Sequence, residues 1–499
     1  MAETIKERGF FWWFNEGTLP ARSKETSVAG QLTVSDQGGI TLETDGALCL
    51  KEEFQNWSEP RNFAESRRIT GVLATSESSD THVLLETLER TDLSLPDDSP
   101  QRQKFSAQLC TTRDCAFPAS YPEGFTELRV SLDGFEEWLE LKSIVVEQES
   151  WESDAVDVLV SYKQWRFEYP TPGGTISVES ITTGALPFFS DLPRTSAEFH
   201  EHFYLIFRPN SPSDASTLRY LYTKIEEFLA VLAGKYHRLP SPILTTEDEF
   251  GTWNTVHFYR STPLEHLNRF SVWLTFPQIK DAFGELFKNW LSGCQLFGAG
   301  YYLFVSALRN PHQYSEHRFV NLLWGIEALH RKWLGESETS DRVIREKKRV
   351  GEILNLLPED DRNRKWLGKK LAHAHELSLE ERILECFRRL PFTFGSGEIE
   401  KFAKVCAERR NDISHFGGPR GDVDYDLFHS QISQLADALD HLFRLLLLHQ
   451  IGVDAKTLFK VVTDSFVSRN VGVAFENVGL SIKSAVQGEG VPSIEVPQN

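Results

Sequence analysis

The chain has no apolar run long enough to cross a bilayer, which takes about 20 predominantly apolar residues. Its first residues, MAETIKERGFFWWFNEG, lack the basic-then-apolar layout of a secretion signal. These two absences favour a cytoplasmic protein with no membrane partner. Cysteine is sparse as well: Cys49, Cys110, Cys115, Cys294, Cys386 and Cys406 are scattered and form no disulfide framework. Cys110 and Cys115 are at most half of a zinc site, because no second ligand pair stands at a workable spacing. The sequence therefore implies no metal and no cofactor. Internal repeats are absent. Positive charge is also short, with 53 Lys and Arg against 72 Asp and Glu, a net of −19. A surface of that balance is not, as a whole, a nucleic-acid platform.

What is present is unevenly distributed. A chain of 499 residues holds two or three domains by default. Its first half reads as strands. GQLTVSDQGGITLETDG (30–46) alternates Leu32 and Val34, then Ile40 and Leu42, around a Gly-containing turn, which is a hairpin signature. VDVLVSY (156–162) and FYLIFRP (203–209) are short β-rich runs bounded by turn residues, and LSLPDDSPQRQ (93–103) reads as a surface loop. One helix, SDASTLRYLYTKIEEFLAVLAG (213–234), follows, and strand-like sequence then runs to about 276. These features predict a β-rich, sandwich-like N-terminal domain over 1–276.

From 277 the apolar period changes to that of a helix. PQIKDAFGELFKNWLSG, EHRFVNLLWGIEALHRKWL (316–334) and LFHSQISQLADALDHLFRLLLLHQ (427–450) each carry an apolar stripe. They predict an all-α bundle over 277–450. Residues 451–499 read as a C-terminal extension whose tail, after about 483, is expected to be disordered. Between Asn310 and Gln450 the charges nearly balance, 22 basic against 23 acidic, so almost all the excess acidity lies elsewhere. The helical region also contains two basic clusters, RVIREKKR (342–349) and RNRKWLGKK (362–370). Either is a solvated helix face or a set of phosphate contacts.

Two Arg-x4-His pairs occur, Arg410–His415 and Arg444–His449, where chance alone supplies about one. Four leucines fill the second pair, which marks it as part of a core helix. The first encloses Asn411, Asp412, Ile413 and Ser414, and FGGP follows at 416–419. On a regular helix a five-residue offset rotates two side chains apart by roughly 140°. Arg410 and His415 therefore converge only if the helix ends or distorts between them, and Gly417, Gly418 and Pro419 supply an end. On spacing alone, a terminal histidine pairing with helix carbonyls is the favoured account of the motif.

RRNDISH, with Arg410, Asn411 and His415, resembles the signature of the HEPN ribonuclease superfamily, and RFVNLLWGIEALHRKW (318–333) is similar to its first helix, with a carboxylate at Glu327. A long β-rich domain ahead of such a bundle resembles the ApeA type of bacterial anti-phage protein. The resemblance implies RNA cleavage without a metal. The RNA's own 2′-hydroxyl attacks, leaving a cyclic phosphate and a 5′-hydroxyl. It also implies tRNA as the target, a phage-derived trigger sensed by the first domain, and a homodimer or higher oligomer that joins two motifs in one cleft. Histidine, with an ordinary pKa near ~6.5, exchanges protons at neutral pH, and a fixed guanidinium neutralises charge on phosphoryl oxygens. Arg410, Asn411, His415 and Glu327 are thus the candidate catalytic residues. Arg409, Lys347, Lys348, Arg349, Lys369 and Lys370 are the candidate RNA contacts. His330, in the middle of its apolar stripe, reads as a core histidine. The alternatives are a non-catalytic HEPN dimerisation module with a ligand-binding β domain, or a HEPN partner regulated by nucleotide modification.

Overall fold

A computed structural model describes residues 3–14, 27–46, 48, 68–74, 80–94, 102–118, 121, 124–148, 158–184, 199–246, 252–260, 267–310, 312–333, 341–359, 361–421 and 424–485. It divides into two compact units, Met1–Glu227 with His237–Asn268, and Phe228–Tyr236 with Arg269–Asn499.

The first unit is built on strands β1 (Glu3–Phe14), β2 (Val28–Ser35), β3 (Ile40–Thr44), β4 (Arg68–Leu73), β5 (Thr81–Ser94) and β6 (Arg102–Arg113). The predicted hairpin is β2–β3: Leu32 opposes Leu42, Val34 opposes Ile40, and all four are buried. Strands run in the antiparallel order β6-β3-β2-β1-β4-β5, and β5 pairs back onto β6. The β-rich domain is thus organised around a closed six-stranded barrel rather than two facing sheets, since closure satisfies every edge. Phe11 fills its interior, fully buried, and a Cβ at Gly71 on the neighbouring strand would lie 2.5 Å from the Phe11 ring. Only glycine fits there.

Strand β6 is the branch point. On one side its residues 103–107 pair with β3, and further along its residues 109–112 pair with the last strand of an extension. That extension comprises β7 (Phe125–Ser131), β10 (Arg166–Thr171), β11 (Gly174–Gly184), β12 (Phe199–Pro209), β13 (Ile243–Thr246) and β14 (Trp253–Phe258). Between β7 and β10 stand the short helix α1 (Glu136–Leu139) and a separate hairpin of β8 (Ile144–Gln148) and β9 (Val158–Tyr162). Cys110 lies in the barrel core, where burial pushes its thiol up to about 12, whereas Cys115 is exposed beside Arg113. The two do not face a common ion. Cys49 lies outside the described residues, as does the middle of the 93–103 segment.

Helix α2 (Ala215–Ala233) contributes its C-terminal end to the second unit. That unit continues with α3 (Phe276–Ile279), α4 (Phe283–Phe297), α5 (Ala299–Arg309), α6 (Ser315–Trp333), α7 (Asp341–Asn355), α8 (Arg362–Leu371) and α9 (Leu379–Phe387). It is completed by β15 (Phe392–Phe394), α10 (Glu398–Asn411), α11 (Tyr425–Ile451), α12 (Ala455–Asp464), α13 (Ser468–Asn477) and β16 (Ile482–Ala485). The helix expected from Pro277 onward is divided into α3 and α4 by a turn at 280–282. The bundle is not purely helical, because β15 and β16 form a two-stranded ribbon. Residues beyond Ala485, where disorder is expected, lie outside the described residues. No single described helix is long and apolar enough to cross a membrane. Helices α4 and α5 pass by composition only as a pair, bent by 110°, and their apolar residues line the core.

The Arg444–His449 pair is structural. Arg444 is buried on α11 and donates to the carbonyls of Ala230 (3.2 Å), Val231 (3.1 Å) and Gly234 (2.9 Å), closing the C-terminal end of α2. Its guanidinium also lies between Trp273 and Phe304 and pairs with Asp440 at 3.3 Å. Burial alone would raise the Asp440 carboxyl, but Arg444 and Arg318 outweigh it and hold it below the usual range. Arg444→Ala leaves three carbonyls without their donor and buried Asp440 with Arg318 at 3.7 Å as its remaining arginine, so unfolding free energy should fall by about 3–5 kcal/mol. Denaturant titration measures it, and a loss under about 1 kcal/mol would contradict this account.

Candidate active site

Helix α10 buries Ile399, Phe402, Ala403 and Cys406 on one stripe and brings the RRNDISH segment to its end. There the helix changes character. Asp412–Phe416 is a π-helical turn, closed when the Gly417 amide donates to the Asp412 and Ile413 carbonyls. Gly417 takes φ +70°, which a residue with a Cβ adopts only under strain. An i→i+5 turn is wider than an α-turn, so it reduces the angle by which residues five apart diverge. A distortion of the helix thus falls between Arg410 and His415. His415, Asn411 and Ser414 are exposed, and Arg410 is half-buried.

The two adjacent arginines have opposite surroundings. Arg409 donates to Asp412 Oδ2 (2.8 Å) and Gln431 Oε1 (2.8 Å) and lies over the Phe428 ring. Arg410 donates only to Asn411 Oδ1, at 3.3 Å, and meets no carboxylate among the described residues. Its cation is left available to an anion. Arg409, expected to contact RNA, pairs with Asp412 and Gln431 while its side chain stays 31% exposed.

Asp412 holds the turn in place. Its carboxylate is 1% exposed and accepts from Arg409 on one oxygen and from Arg420 Nε (2.6 Å) on the other. Arg420 lies past the glycines and covers the Phe416 ring at 5.2 Å, so one buried charge ties both sides of the turn together. The sequence contains one trace of this arrangement, the i,i+3 spacing of Arg409 and Asp412. Nothing in it singles out Arg420 or Gln431.

Glu327 is not joined to the motif by any hydrogen bond or ion pair among the described residues. It pairs with Arg331 (3.0 Å) one turn along α6, and Arg331 also reaches Glu376 (3.1 Å). Hydrogen bonding to His373 chiefly, then to Arg331, holds Glu376 below the ordinary carboxylate range. His330 is fully buried, as expected of a core histidine. Arg382 can only donate, so its 3.2 Å contact makes His330 Nδ1 the acceptor, and Nε2–H donates to Glu385 at 2.9 Å. Both ring nitrogens are thereby used. Lys347, Lys348 and Arg349 are exposed on α7, the latter two within 4.0 Å of Glu352 and Glu346. Lys369 and Lys370 are exposed on α8.

Removing a buried charge and removing an uncommitted one should differ sharply in cost. Asp412→Ala should lower unfolding free energy by about 2–3 kcal/mol, because the buried carboxylate's charge-assisted hydrogen bonds are lost while the two guanidiniums remain open to water. Arg410→Ala should change it by about 1 kcal/mol or less. Equal losses in urea titration would refute the division of roles.

Two family models match the chain. The Apea-like HEPN domain covers residues 320–457, and the ApeA N-terminal domain 1 covers residues 7–290. No curated protein and no solved structure matches. With both matches in the order that the fold presents them, a β-rich region followed by a helical bundle containing the RRNDISH turn, the chain belongs to the ApeA-type HEPN defence proteins.

Proposed function

We propose that this protein is a metal-independent endoribonuclease of anti-phage defence that cuts host RNA, tRNA foremost, and so aborts infection. The observation that carries the reading is Arg410: a half-buried guanidinium with no carboxylate partner among the described residues, on the same distorted helix end as an exposed histidine. In this mechanism His415 moves a proton to or from the attacking 2′-hydroxyl or the leaving 5′-oxygen. Arg410 neutralises the charge that accumulates on the phosphoryl oxygens, and Asn411, hydrogen-bonded to Arg410, orients that guanidinium or a phosphate oxygen. Arg409 and Asp412 act as positioning residues. The one buried carboxylate of the motif is taken up by two arginines, so it is not free to hold a cation. Glu327, engaged with Arg331, would act only indirectly, by orienting the end of α6.

Each motif supplies one histidine, whereas the reaction uses an acid and a base. A two-fold assembly of bundles would bring two motifs into one cleft. Exposed apolar side chains favour such an interface: Trp324 on α6 is 45% exposed, and Phe416, Tyr425 and Leu427 are exposed around the motif. The same rim would serve a non-catalytic interaction module, and cleavage itself separates the two. The acidic first half of the chain disfavours bulk RNA, which suits a domain that responds to a phage-derived signal and restrains the nuclease in the cytoplasm.

Arg410→Ala and His415→Ala should each abolish RNA cleavage, a loss of at least about 100-fold given the usual contribution of general acid–base catalysis. Cleavage by the parent protein should persist in EDTA and leave 2′,3′-cyclic phosphate ends. Activity that disappears on chelation and returns with Mg²⁺ would redirect the search to other carboxylates.

Mixing parent chains with His415→Ala chains tests the shared cleft. If both histidines act on one scissile bond, activity falls faster than the parent fraction. A strictly proportional decline, or full activity in a monomer by light scattering, would remove the dimeric cleft from the mechanism.

A further inference from the structure

Helix α8 is unusual within the bundle. None of its residues is buried, it carries five cations and no carboxylate, and its single aromatic residue, Trp366, is 59% exposed. An amphipathic helix normally turns its aromatic residue inward. Here the inward side is occupied by other groups. Arg364 reaches back to the Leu357 carbonyl (3.1 Å) and the Asn355 side chain (3.1 Å), and Gly368 abuts Leu354 of α7 at 3.9 Å. Trp366 lies on the opposite side. At helical spacing its neighbours one turn away are Arg362 and Asn363 before it and Lys369 and Lys370 after it, all exposed. None of those three cations forms an ion pair among the described residues. A flat π-face is thus ringed by three uncommitted positive charges and one amide.

We propose that this face of α8 is a docking platform for single-stranded RNA, with a base stacked on Trp366 and flanking phosphates on Arg362, Lys369 and Lys370. It rests on the nuclease reading and deepens it, because it gives the enzyme an unpaired segment such as a tRNA loop rather than a duplex stem. The charge argument favours nucleic acid: in a protein of net charge −19, a ten-residue helix with five cations and no acid is complementary to a polyanion. The aromatic residue narrows the choice. An indole offers stacking to an unpaired base, which a duplex keeps inside its own stack. Asn363, one turn away, can donate to a base edge or a phosphate.

The test uses the full chain carrying His415→Ala, so that RNA stays intact, and measures binding of a labelled unstructured RNA of about a dozen nucleotides by anisotropy. Adding Trp366→Ala should weaken binding about 5- to 150-fold, the range for loss of one base–aromatic stack, while Trp366→Phe retains most of the affinity. Lys369→Ala and Lys370→Ala should instead flatten the salt dependence, by roughly 0.7 in slope for each phosphate that is no longer neutralised. Unchanged binding in Trp366→Ala overturns the platform. So does equal, Trp366-dependent affinity for the same sequence as a duplex, for polyglutamate, or for vesicles of anionic lipid. The two readings fail separately. His415-dependent cleavage with Trp366-independent binding sinks only the platform; Trp366-dependent binding by a parent chain that never cleaves RNA sinks only the nuclease.

Discussion

One buried carboxylate underlies the whole candidate site. Asp412 sits out of water between Arg409 and Arg420, an arrangement that would cost several kcal/mol if either partner were missing. Such a bridge contributes little net stability against a well-packed apolar alternative. Its consequence is geometric. Arg409 holds Asp412 from the regular part of α10 and Arg420 holds it from beyond the glycines, so the intervening turn is clamped at both ends. The clamped turn takes i→i+5 geometry over Asp412–Phe416, the segment that carries His415.

The same bridge divides the labour of the arginines. A guanidinium beside a buried carboxylate is spent on structure, and Arg409 is in that position. Arg410, one residue on, has rotated away and keeps only the Asn411 amide. Arg444, in the second Arg-x4-His pair, shows the opposite extreme: fully buried, bonded to three carbonyls and a carboxylate, and enclosed by two aromatic rings. Three arginines on two helices thus serve as clamp, free cation and helix cap. What separates them is the set of groups each meets, which no spacing in the chain encodes.

That contrast explains what could be read in advance. Period-2 alternation exposed the β2–β3 hairpin because one face of each strand is buried, and the helical stripes exposed α6 and α11 for the same reason. The barrel was not legible. Its closure depends on β5 pairing with β6 along its whole length while β6 branches between β3 and β14, and alternation is identical in a barrel and a sandwich. In the site, Arg410 and His415 could be singled out, together with the need for a helix distortion between them. The π turn itself could not, since it depends on Arg420 and Gln431, eight and nineteen residues beyond Asp412. Glu327 stood out as a carboxylate on an apolar helix, yet that description fits equally a residue paired within its own turn, which is where Arg331 holds it.

The charge distribution and the site geometry lead to a common constraint. Any polyanion that meets a chain of net charge −19 can approach only where local charge overrides the total. Beyond roughly one Debye length, about 10 Å at moderate salt, exposed charges are screened from one another, and each patch acts by itself. Helix α8 is such a patch, with five cations and no acid. The motif is another kind of patch, because its only buried carboxylate is already neutralised by two guanidiniums and Arg410 is left over as net positive charge. Burying Asp412 therefore shapes the helix end and also neutralises, with two guanidiniums, a negative charge inside the turn that would otherwise repel a phosphate. Geometry and electrostatics at the candidate site follow from a single ion-pair cluster.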